Sequence, residues 1–158
     1  MATLKISDLS VGDWVQINGR LRKVSVTADT WDGKSDALVG YIRHEWPNGY
    51  KEVHYKPIEA VKPIPITAEI LEKNGFTRRS GEFPIYEYTT LLGKMLRITV
   101  VSLNHPYSYI ACRIEDTSKE LHEFGRIPVS SSVDRSPIHI HDLQHALRLA
   151  GVDREINL

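Results

Sequence analysis

Residues 6–26 read ISDLSVGDWVQINGRLRKVSV, and two alternating apolar runs within them, Trp14 to Ile17 and Leu21 to Val26, flank the dipeptide Asn18-Gly19. Both members of an Asn-Gly pair tolerate the positive φ of a type I′ turn, so the pattern predicts a tight β-hairpin. Outward from it, the polar stretch Thr27 to Asp36 contains Asp32-Gly33 and predicts a loop. Ala37 to His44 and Lys51 to Tyr55 predict a second strand pair about the turn Trp46-Pro47-Asn48-Gly49-Tyr50. The N-terminal lobe, residues 1–62, is therefore expected to be a four-strand meander.

Pro57, Pro63 and Pro65 then interrupt regular structure, and the geometry imposed before each proline favours an extended connector. A second lobe is expected over 63–158. Thr67 can cap a short helix, Ala68 to Lys73, with Ile66 and Leu71 spaced as a hydrophobic staple and Asn74-Gly75-Phe76 as its stop. Four strands follow by alternation: Ile85 to Thr90, Met95 to Val101, Tyr107 to Glu115 and Leu121 to Ile127. Ile140, Leu143, Leu147 and Ala150 recur at helical spacing in the tail Ile138 to Ala150, and Gly151 ends it. The expected class is α+β, with an antiparallel four-strand sheet covered by a C-terminal helix.

Composition narrows the function classes. The 158 residues are 41% hydrophobic and 25% charged, a globular balance that excludes disordered and collagen-like chains. Twenty Lys plus Arg meet twenty Asp plus Glu, so no basic arm or acidic tail announces a polyanionic or chromatin partner. Cys112 is the single cysteine, which leaves no internal disulfide and no cysteine-based zinc site. No apolar run reaches the length of a membrane span, and Met1 to Leu9 lacks the apolar stretch of a signal peptide. The expected location is cytoplasmic, with no membrane partner.

Two residue groups carry chemistry. All three tryptophans, Trp14, Trp31 and Trp46, lie in the first lobe, together with Tyr41, Tyr50 and Tyr55 and interleaved with arginines and lysines. Aromatic faces beside cations can stack bases or grip an extended peptide. Trp14, Arg20, Arg22, Tyr41 and Arg43 are the candidate contacts to a protein or nucleic acid, although a small β lobe also uses large side chains to fill its core. Along β-strands, alternation groups Arg20 with Arg22 and Trp14 with Gln16.

The second group is His139, His141 and His145. His141 and His145 are four residues apart, on one helix face, and can share a divalent metal with Asp142 or a distant carboxylate. The glutamate of a His-Glu-x-x-His protease motif is missing, because Asp142 follows His141. The rival structural role is capping of the final helix. Metal-dependent hydrolysis is accordingly the alternative to non-catalytic binding. Cys112 falls on an apolar strand face, Ser130 to Ser132 lack a Gly-x-Ser-x-Gly elbow, and no phosphate-binding glycine loop is present. The sequence leans away from an enzyme, and no cofactor is expected.

Two resemblances add expectations. Val11-Gly12-Asp13-Trp14-Val15, with Gly19 and Lys23-Val24, resembles the first strands of small SH3-like barrels of the KOW and Tudor-like groups. The whole chain resembles a group of small uncharacterised proteins common in gut Bacteroidetes genomes and their prophages. That likeness rests on Leu9-Ser10-Val11-Gly12-Asp13-Trp14-Val15, on Lys62 to Phe76 (KPIPITAEILEKNGF) and on Ile140 to Leu147 (IHDLQHAL). It implies a mobile-element setting and a binding role, with no activity attached.

Overall fold

The computed structural model describes residues 4–28, 37–81, 84–91, 95–101, 109–115, 123–131, 138–152 and 154–158. The chain divides into two compact units, Met1–Ile64 and Pro65–Leu158. Each carries its own antiparallel sheet, and the described helices are two, which makes the class α+β.

In the first unit, β1 (Trp14–Ile17) and β2 (Arg20–Ala28) form the hairpin that Asn18-Gly19 predicts. Asn18 has φ 51° and Gly19 φ 74°, the left-handed pair a type I′ turn needs. β3 (Leu38–Glu45) and β4 (Lys51–Pro57) form the second hairpin, and a 3₁₀ turn at Ile58–Ala60 leads into β5 (Val61–Lys62). The strand order is β4-β3-β2-β1-β5. The sheet has five strands where a four-strand meander was expected, and among the described residues it does not close into a barrel, with β4 and β5 at the two ends of the order. β5 is only two residues long, because Pro63 and Pro65 follow it and a proline has no N–H to extend a ladder. Val15, Ile17, Val24, Val39, Tyr41, Ile58 and Val61 build the core on one sheet face, joined by Leu9.

The second unit begins with the short helix α1 (Ala68–Lys73). Thr67 Oγ1 accepts the Ile70 N–H at 3.3 Å, and the staple residues Ile66 and Leu71 are both buried. The helix stops in a Schellman motif: Phe76 N–H donates to Leu71 O at 3.0 Å and Gly75 N–H to Glu72 O at 2.9 Å, with Gly75 at φ 79°. Phe76 turns back into the core, its ring 5.3 Å from that of Tyr88.

The second sheet has the order β10-β9-β8-β7-β6. Its strands are β6 (Thr77–Arg78), β7 (Ile85–Leu91), β8 (Met95–Val101), β9 (Tyr109–Glu115) and β10 (Glu123–Ser131). The expected four strands are joined by β6, a two-residue edge too short to leave an alternation pattern. Helix α2 (Ile140–Leu149) packs against β9 and β10 and buries Ile140, Leu143, Ala146 and Leu147. It also ends in a Schellman motif, at Gly151 and Val152. No described helix is long and apolar enough to cross a membrane.

Candidate functional site

The Gly12-Asp13 turn sets the geometry of the first unit's surface. Asp13 is fully buried, and its Oδ2 accepts the Ser10 N–H at 2.7 Å. Gly12 N–H donates to Val24 O at 2.7 Å and Val24 N–H to Asp13 O at 2.8 Å, so the turn is pinned across to β2. A buried carboxylate is costly unless it accepts hydrogen bonds, and this one fixes the loop that launches β1.

From that start the register is Trp14 opposite Lys23, Val15 opposite Arg22, Gln16 opposite Leu21 and Ile17 opposite Arg20. Directly opposite residues share a face. Trp14, Gln16, Leu21 and Lys23 therefore occupy one face, while Arg20 and Arg22 lie with the core residues Val15 and Ile17 on the other. Beside Trp14 an open groove of about 450 Å³ is lined by Val11, Gly12, Trp14, Ile42 and the β2 residues Leu21 to Ser25. Lys23 Nζ lies 5.9 Å from the Trp14 ring centroid. Val11 and Leu21 are 62% and 47% exposed, so the groove presents apolar surface beside a cation.

The other sequence candidates gather elsewhere. Arg22 Cζ stands 5.2 Å over the Tyr41 ring, and Tyr41 itself is buried. Arg43 sits at the register shift between Ile42 and His44, with its Nη1 3.5 Å from His54 Nε2. His54 in turn contacts the Glu52 carboxylate, and that hydrogen bond holds Glu52 below the ordinary carboxylate value. Arg20 is exposed at the hairpin end. Trp14, Arg20, Arg22, Tyr41 and Arg43 are thus split between two faces and do not form one surface. At the second hairpin's tip, Trp46 packs between His44 (4.3 Å between centroids) and Tyr50 (5.1 Å). Trp31 lies outside the described residues.

In the second unit, His139 forms an isolated β-bridge with Pro65 and is the N-cap residue of α2. The Asp142 carboxylate reaches back, with Oδ2 accepting the His139 N–H at 2.9 Å. The same carboxylate meets both imidazoles: His139 Nδ1 is 3.8 Å from Oδ2, and His141 Nε2 is 3.7 Å from Oδ1. One ligand atom from each of His139, His141 and Asp142 lies within 4.8 Å of the others. The two rings are nearly parallel, at 7°, with centroids 5.5 Å apart. His145 is one turn further on, its ring 6.2 Å from that of His141. Burial pushes His139 below the ordinary imidazole value, with the neighbouring His141 acting in the same direction and Asp142 opposing it.

The sequence named the three histidines, whereas the structure brings Asp142 into contact with two of them. The signal was present in the i, i+3 spacing of His139 and Asp142, which is the spacing of a capping box. Asp142 was visible only as an option because nothing in the sequence says which carboxylate faces an imidazole. No family model, curated protein or solved structure matches the chain.

Proposed function

We propose that this is a non-catalytic binding protein whose first unit holds a segment of another protein in the groove beside Trp14. The observation that carries the reading is the apolar lining of Val11, Trp14, Leu21 and Ile42 with Lys23 over the Trp14 ring. Apolar pockets take an aliphatic or aromatic anchor, and a cation at their edge takes a neighbouring carboxylate. A protein segment with an apolar anchor beside an acidic residue fits both. A nucleic acid fits less well, since affinity for phosphate chains grows with the number of cations aligned and the chain is neutral overall.

The strand order β4-β3-β2-β1-β5, with a 3₁₀ turn leading into β5, supports an SH3-like reading of this unit. A mobile-element setting among Bacteroidetes proteins belongs to the same proposal and rests on the sequence likeness, while a cytoplasmic location rests on the single cysteine, Cys112.

A random-peptide display library panned on the intact protein tests this. Wild type is expected to enrich a consensus with an apolar residue next to Asp or Glu, and Trp14→Ala with Lys23→Ala is expected to lose it. No enrichment on wild type would overturn the proposal, as would tight, salt-sensitive binding of single-stranded DNA with no peptide bound.

A further inference from the structure

The start of α2 places unusual chemistry where an amphipathic helix would ordinarily bury only apolar side chains. His141 is 3% exposed on the same buried stripe as Ile140, Leu143 and Leu147. A buried imidazole is costly unless its polar atoms are engaged. It faces Asp142, which faces His139, and all three come from four consecutive residues at one helix end. The helix cap uses the Asp142 Oδ2 bond to the His139 N–H. Oδ1, directed at His141 Nε2, is left over from that duty.

We infer that His139, His141 and Asp142 form a mononuclear site for a divalent transition metal of the zinc class. Two imidazoles and one carboxylate are borderline donors that suit Zn²⁺ and its neighbours, whereas Mg²⁺ and Ca²⁺ require a shell of oxygens that this set does not offer. Metal–ligand bonds of about 2.1 Å in a tetrahedron put ligand atoms about 3.4 Å apart. In the structure one ligand atom from each of the three residues lies within 4.8 Å of the others, so rotation of the side chains must draw the set together around the ion. Three protein ligands leave the fourth position to water or to a small anionic ligand. The Asp142 carboxylate then bridges two tasks, with Oδ2 on the cap and Oδ1 on the ion, so that metal binding and the helix start support each other.

The site is tested on tag-free, chelator-treated protein by competitive titration with Zn²⁺ and by Co²⁺ visible absorption. One Zn²⁺ per chain is expected, with the Co²⁺ spectrum of a four-coordinate ion. Asp142→Asn keeps an acceptor for the cap and is expected to weaken Zn²⁺ by roughly tenfold or more, since even outer-shell changes cost that much. His139→Ala is expected to abolish stoichiometric binding. His44→Ala, on the exposed hairpin, should leave it unchanged. Far-UV circular dichroism checks that each variant is folded, and the Asp142→Asn result stands even where His139→Ala does not fold. No zinc held by wild type at micromolar free metal would overturn the inference, as would equal affinity in wild type and Asp142→Asn.

Discussion

Asn74 offers the sharpest test of how the second unit is held together. It is a polar side chain only 3% exposed, at the end of α1. Its Nδ2 donates to Ile70 O and to Asn157 O, both at 2.8 Å, and its Oδ1 accepts the Asn157 N–H at 2.9 Å. The amide therefore ties the helix end to a segment 83 residues further along the chain. Three bonds at about 1 kcal/mol each, less what Asn157 regains from water, put the cost of Asn74→Ala at about 2–3 kcal/mol. A drop in Tm on the order of 10 °C follows for a unit of this size. Asn74→Asp is sharper still. Its carboxylate can accept from Asn157 but would face two carbonyl oxygens with no hydrogen to offer. It is expected to cost more than alanine at neutral pH. Its folded-state pKa is raised, so stability should return as pH falls through that value. Urea unfolding by circular dichroism and hydrogen exchange at the Asn157 amide read both effects. A loss below about 0.5 kcal/mol in Asn74→Ala, within the range of a neutral surface change, would refute the reasoning.

Two further predictions follow from the same accounting. Because His139 is held below its ordinary value of 6.5, the unfolded chain takes up that proton first, and metal-free protein should lose stability as pH falls below about 6.5. His139→Gln should flatten that dependence in pH-dependent urea melts, and an unchanged slope would contradict the assignment. Gly40 is closed in by packing: a Cβ there would meet Tyr55 Cε1 at 3.0 Å, Val53 Cγ1 at 3.1 Å and Val26 Cβ at 3.2 Å. Gly40→Ala should cost roughly 1–3 kcal/mol by overpacking, and an unchanged urea midpoint would show that β2 and β4 yield more than this.

Local signals in the sequence carried far where the chemistry is local. Asn18-Gly19 sets its hairpin by backbone sterics, and Thr67 with Asn74-Gly75-Phe76 sets both ends of α1, so those elements fall where the pattern puts them. The strands from Ile85 onward were legible from alternation, within a few residues at their ends. What escaped is non-local. β5 and β6 are two residues each and exist because a neighbouring strand pairs with them, which no periodicity encodes. Asn74 reads as a helix stop in sequence, while its bonds to Asn157 depend on the path of the last residues. In the first unit, alternation groups Arg20 with Arg22 and Trp14 with Gln16, and the cross-strand register puts the two pairs on opposite faces. The groove itself needed the cross-strand register and Ile42 from β3.

The central claim is that the Trp14 groove is where a partner segment binds. The most direct measurement is an amide chemical-shift titration of the isotopically labelled, intact protein with a peptide selected by display. The account predicts that shifts gather at Val11 to Trp14, at Leu21 to Ser25 and at Ile42, and that the Trp14 indole signal moves with them. Shifts confined to the exposed edge strand β4, or to α2, would contradict it.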